Sequence, residues 1–191
     1  PKSLLDVGCG NGLFLLVASE LGLTTLGIEP STSMCSNAEK KGVQVISCGL
    51  AEYTRYDQFD LVVLNSVIEH LPEPRKVMKL LADRIGDKTM LCLQQAVFDG
   101  LIPRALKSTW YGWAPAEHYW HFSEKSFKNF TESFQLRVVK ARRSNLYYQT
   151  VSIKNIRHWK SFAFGNFQKL LSLVGSLIHR GDSITFYVIK T

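Results

Sequence analysis

The chain has 191 residues, 46% hydrophobic and 20% charged, with a formal net charge of +7. That length suits one domain with a sizeable buried core. No window carries the roughly 20 apolar residues of a membrane span, and neither an internal repeat nor a low-complexity tract is present.

Strand and helix signals alternate through the first half. An apolar run, Ser3–Val7, enters the glycine turn Gly8-Cys9-Gly10-Asn11-Gly12, and a helix is predicted from there to Leu21. A second strand, Thr24–Glu29, ends in a carboxylate. Pro30 and Ser31 open the next helix, with Ser31 as its N-cap, and Gly42 closes it. Strand three is read over Val43–Ser47, followed by a loop from Gly49 to Asp57. Phe59–Asn65, with its apolar run Leu61–Leu64, reads as a strand buried on both faces. Pro72 and Pro74 introduce a helix that Gly86 ends, and Thr89–Ala96 is strand five.

The rhythm then changes. Val97–Trp120 is aromatic, proline-bearing and aperiodic. Ser123 caps a helix to Glu132, Phe134–Ala141 reads as a strand, residues 153–179 as an amphipathic helical stretch, and Asp182–Lys190 as the last strand.

Strand, glycine turn, helix, strand and terminal acid make the first half of a nucleotide-binding unit. The spacing is G-x-G-x-G, and Leu13 stands where a dinucleotide fingerprint places its third glycine. Asp6, two residues before the first glycine, would repel a pyrophosphate but would suit a ligand with a positive centre. The pattern Leu4-Leu5-Asp6-Val7-Gly8-Cys9-Gly10-Asn11-Gly12 resembles the glycine motif of class I S-adenosylmethionine methyltransferases. The resemblance implies a Rossmann-like, doubly wound, three-layer α/β/α fold. Its seven-stranded sheet is mostly parallel, with the last strand antiparallel beside strand five.

The same resemblance assigns a cofactor site. Gly8, Cys9, Gly10 and Gly12 let the backbone approach the methyl donor. Asp6 holds the loop and the donor's ammonium, and Glu29, with Pro30 beside it, takes the ribose hydroxyls. Leu50 and Ala51 border the adenine through backbone groups, although Leu50 stands where the family usually has an acid. Asn65 and Ser66 meet the donor's amino-acid end.

Asn65-Ser66-Val67-Ile68-Glu69-His70-Leu71-Pro72 resembles the family's post-strand motif. Pro115, His118, Phe122 and Ser123 match a branch that includes quinone-biosynthesis O-methyltransferases and enzymes of sugar and lipid tailoring. His118 and His70 are the base candidates, since a neutral imidazole can take a hydroxyl proton near pH 7. The alternative for His70 is a packing role at the helix start. No metal centre is expected. Cys9, Cys35, Cys48 and Cys92 lack ligand spacing, as do Glu117, His118 and His121.

The expected organisation is a single methyltransferase domain over 1–191. Residues 97–122 form an acceptor-side insertion and 144–181 an amphipathic helical one. The family's N-terminal lid helices are absent from this sequence. Its product would be S-adenosyl-L-homocysteine and its partner a small-molecule acceptor: a lipid, quinone or sugar intermediate methylated on oxygen or nitrogen. The four thiols and the lack of a visible signal peptide fit a reducing, cytoplasmic setting.

Between Glu132 and Asp182 no acid occurs, and basic residues accumulate. That half keeps open a non-catalytic alternative, a methyltransferase-like module binding RNA or a membrane. Nucleic acid is the lesser expectation, and peripheral membrane contact rests on residues 162–178. The sequence does not speak to oligomeric state.

Overall fold

A computed structural model describes residues 1–145 and 180–191. Seven strands form one sheet: β1 (Ser3–Val7), β2 (Thr24–Glu29), β3 (Val45–Ser47), β4 (Leu61–Asn65), β5 (Met90–Ala96), β6 (Leu136–Ser144) and β7 (Ser183–Lys190). Their order is β3-β2-β1-β4-β5-β7-β6. β1 to β5 run parallel, and β7 inserts antiparallel between β5 and β6. The expected fold class and the position of the last strand are borne out. The predicted helical stretch 153–179 lies outside the described residues.

Alternation along the strands builds two cores. Leu5 and Val7, Val62 and Leu64, and Leu91 and Leu93 face one side with Met78, Leu81 and Phe127. Leu4, Val63 and Cys92 face the other with Leu15, Ala18 and Ala38. These side chains come from α1 (Leu13–Glu20), α2 (Thr32–Glu39), α3 (Pro74–Arg84) and α5 (Glu124–Glu132). The result is three layers, with strands apolar on both faces as parallel sheets require.

Local signals set the ends. The Ser31 hydroxyl accepts the Met34 N–H, capping α2. Pro74 sits in the first turn of α3, where its missing N–H costs nothing. Ser123 and Ser126 cap α5 reciprocally, a serine serving where glutamate is usual.

Several readings shift in the structure; β4 and β5 begin at Leu61 and Met90, inside the strands read from Phe59 and Thr89. β3 starts at Val45, because Val43 is spent packing beneath the glycine turn instead of pairing. β6 runs on to Ser144, since Arg142 and Arg143 pair with Thr185 and Ile184 of β7. A run of arginines carries no strand pattern, and only that pairing extends it. The 97–122 stretch is not wholly irregular. It holds α4 (Leu101–Leu106) and 3-10 turns at Lys107–Thr109 and Tyr111–Trp113. No helix among the described residues is long and apolar enough to cross a membrane.

Candidate active site

The carboxyl ends of β1, β2, β4 and β5 lie side by side, and the residues singled out from sequence emerge there. The glycine turn is held tightly. Gly8 and Cys9 donate their N–H groups to Ile28 O at 2.8 and 3.2 Å. Gly12 has φ +75°, and a Cβ there would lie 2.6 Å from Val43 and 2.8 Å from Ala38. Gly10 also has positive φ, +55°, but a Cβ on it would meet nothing within 4 Å. Gly12 is therefore a packing glycine, and Gly10 fronts open space where a ligand can approach.

Glu29 braces that turn. Its Oε2 accepts the Gly10 N–H at 3.0 Å and its Oε1 the Ser31 N–H at 2.9 Å. Each oxygen keeps a second lone pair for a hydroxyl. Pro30 is exposed beside it. Cys9 turns inward instead: its thiol is buried, and burial, then the nearby Asp6 carboxylate, push its pKa up to about 12. Asp6 is also buried, and its carboxyl is raised to about 7 by burial first and by Glu29 second.

The loop after β3 is pinned from below. The Tyr56 hydroxyl donates to Leu50 O at 2.6 Å, and Arg84 donates to Ala51 O and Tyr53 O at 2.9 and 2.6 Å.

Asn65 ends β4, exposed. Ser66 follows with φ +55°, a strained conformation for a non-glycine residue. Its N–H donates to Gln94 O and its hydroxyl to Gln94 Oε1, and Gln94 donates in turn to Ser183. Gln94 went unnoticed in the sequence, because a glutamine inside a strand carries no motif.

Two contacts join the pieces. A Cβ on Gly8 would lie 3.0 Å from Val67, so the glycine turn abuts the segment after β4. That segment makes a 3-10 turn over Ile68–His70, onto which residues 117–120 fold. Tyr119 N donates to Glu69 O at 2.9 Å, and the Trp120 indole donates to Leu71 O at 2.9 Å. His70 and His118 thereby meet edge to face, their ring centroids 4.7 Å apart. His121 stands 5.9 Å from His118, with its Nε2 on Trp113 O.

Each member of the pair turns Nδ1 to a backbone carbonyl, His70 to Glu117 O at 3.1 Å and His118 to Gly112 O at 3.0 Å. A carbonyl only accepts, so each Nδ1 carries the proton and each Nε2, in the neutral ring, a lone pair. Burial, then His70, lower the pKa of His118 and keep it neutral at physiological pH. Glu69 lies close to these rings, with its Oε2 buried and without a hydrogen-bond partner. Burial raises its pKa. An open cavity of about 710 Å³ lies in the segment after α4, lined chiefly by Trp110, Tyr111, Trp113, Ala114 and Pro115.

Residues 1–141 match the profile of the Methyltransferase domain family, and the chain belongs to that family. Among curated proteins it is similar to a ubiquinone biosynthesis O-methyltransferase from Idiomarina loihiensis, 30% identical over 127 residues. That alignment takes in 61% of this chain and 49% of the relative. The chain spans about half the length of the curated relatives it matches. Among solved structures, a SAM-dependent methyltransferase from Thermotoga maritima superposes with TM-score 0.72 at 14% identity, over 100% of this chain and 83% of that one. The Burkholderia thailandensis 1,6-didemethyltoxoflavin-N1-methyltransferase, solved with its substrate and S-adenosylhomocysteine, gives TM-score 0.65 at 15% identity, over 100% of this chain and 72% of that one. At these identities the structural likeness carries the fold.

Proposed function

We propose that this chain is an S-adenosylmethionine-dependent methyltransferase that methylates a hydroxyl oxygen of a small, largely apolar acceptor. The observation that carries the reading is the juxtaposition of a donor-type glycine turn, braced by Glu29, with the imidazole pair His70–His118 at the carboxyl end of the sheet. The O-methyltransferase relatives support oxygen as the target.

In this reading Glu29 takes the ribose hydroxyls, Gly8, Gly10 and Gly12 admit the donor, and Asn65 and Ser66 face its amino-acid end. The aromatic cavity under residues 107–115 holds the acceptor. The acceptor oxygen attacks the sulfonium methyl in line. The O–C bond forms as the C–S bond breaks, and the electron pair of that bond stays on sulfur as S-adenosylhomocysteine leaves. The acceptor's proton passes to the imidazole cluster. Most of the rate gain comes from positioning, with proton removal adding to it.

A non-catalytic module would have no use for an imidazole pair placed beside the donor turn. The test is calorimetric titration with S-adenosylhomocysteine, NADH serving as control, followed by mass analysis of phenolic acceptors incubated with the methyl donor. Micromolar binding of the first ligand alone and a 14-dalton gain on an acceptor are expected; binding of NADH instead would overturn the reading.

A further inference from the structure

The environment of Glu69, His70 and His118 goes beyond a base. One potential ligand atom from each side chain lies within 4.8 Å of the other two. Both Nδ1 atoms are turned to carbonyls, so the ring atoms left to face a ligand are the two Nε2, each with a lone pair. Glu69 adds a carboxylate oxygen that is buried and accepts no hydrogen bond. Three electron-pair donors thus crowd together. A buried, unpartnered carboxylate oxygen is costly. A cation removes that cost by accepting all three pairs.

We propose that Glu69, His70 and His118 bind one divalent transition-metal ion of the zinc class. The donor set decides the class. Two imidazoles and one carboxylate suit zinc, cobalt or iron(II), whereas magnesium and calcium favour all-oxygen shells. Two histidines and a glutamate also form a recurrent set for catalytic zinc, with the fourth position left open. The carbonyls of Glu117 and Gly112 act as the outer shell that such sites need, fixing tautomer and ring orientation. Zinc–nitrogen bonds of about 2.1 Å set tetrahedral ligand atoms roughly 3.4 Å apart, a closure from 4.8 Å within reach of side-chain rotation.

The ion has two consequences. It ties residues 117–120 to the turn over Ile68–His70, adding to the backbone bonds of Tyr119 and Trp120. It also leaves a fourth coordination position for an oxygen ligand. There an acceptor hydroxyl would bind as a fourth ligand and release its proton to water, and the resulting oxyanion would take the methyl. This second role rests on the methyltransferase reading; the ion-binding itself does not. His70 and His118 then act as ligands, and the metal lowers the hydroxyl's pKa in their place.

The experiment titrates the full chain, stripped with a chelator, with cobalt(II), followed by visible absorption and calorimetry. S-adenosylhomocysteine binding is measured on the same preparation. One equivalent of cobalt is expected, with ligand-field bands of a nitrogen–oxygen site, displaced by zinc but not by magnesium. His118→Ala and the isosteric Glu69→Gln should each weaken cobalt binding by roughly a hundredfold, and His121→Ala should leave it unchanged. No stoichiometric cobalt binding, a thiolate charge-transfer band, or affinity untouched by His118→Ala and Glu69→Gln would each overturn the site. S-adenosylhomocysteine binding without cobalt binding removes the metal and leaves the methyltransferase reading standing. Cobalt binding without S-adenosylhomocysteine binding supports the metal site and removes its assigned role.

Discussion

Replacing Glu29 by alanine separates the two jobs assigned to that side chain. Its oxygens accept the Gly10 and Ser31 N–H groups at 3.0 and 2.9 Å, and in the proposed complex they also accept the ribose hydroxyls. A hydrogen bond to a charged group is worth about 1.5–3 kcal/mol, or roughly 10- to 150-fold in affinity. Glu29→Ala should therefore weaken S-adenosylhomocysteine binding by at least about tenfold. Glu29→Gln should be little better, because its amide NH2 would face one of the two backbone N–H groups. A 2′-deoxy analogue isolates the ribose contribution. It should bind the native chain more weakly than the parent ligand does, yet bind Glu29→Ala as well as the parent does, since the bond it lacks is already gone. Calorimetry on the four combinations gives the coupling directly. Native-like affinity in Glu29→Ala, or an equal deoxy penalty in both proteins, would refute the ribose assignment.

The glycines should respond oppositely. Gly12→Ala combines a left-handed φ with contacts of 2.6 and 2.8 Å and should cost about 2–4 kcal/mol in denaturant unfolding. Gly10→Ala, in open space, should cost only about 1 kcal/mol while abolishing donor binding. Asp6 carries a pH signature. Its folded pKa, about 7, is above the ordinary value of 3.8, so the folded state holds the proton more tightly and this group's contribution to stability falls as pH rises from about 4 to 7. Asp6→Asn should flatten that slope in pH-dependent melts. If the ionised carboxylate attracts the cationic donor, S-adenosylmethionine affinity should also rise through pH 7 in the native chain and not in Asp6→Asn. Finally, Arg143 bridges Asp99 and Glu124 at 2.8 and 2.7 Å with only 11% of its side chain exposed. Arg143→Ala should cost roughly 2–3 kcal/mol, below the fully buried range because Glu124 is partly solvated; a loss under about 0.5 kcal/mol, as for a surface pair, would refute that account.

Local chemistry determined much of this protein. The glycine turn, the terminal acid of β2, the Ser31 and Ser123 caps and the proline-led α3 are set by residues within one or two turns of each other. Their pattern therefore shows in the chain itself, and so does the parallel half of the sheet, whose strands are apolar on both faces. The Ser3–Val7 and Thr24–Glu29 bounds, read from periodicity, match the structure. Other features depend on partners distant in sequence. β6 extends through its arginines only because β7 supplies backbone groups to pair with them. Cys9 turns into the core and Gly10 toward open space although they are neighbours in one turn, a distinction made by what packs around each. Glu69 stands in the post-strand motif beside His70, but its spacing alone gives it no role. It becomes a candidate ligand because residues 117–120 fold onto its turn and bring His118 alongside. Spacing rules detect ligands on one helix or loop, and a set assembled from two separated segments is created by tertiary packing alone.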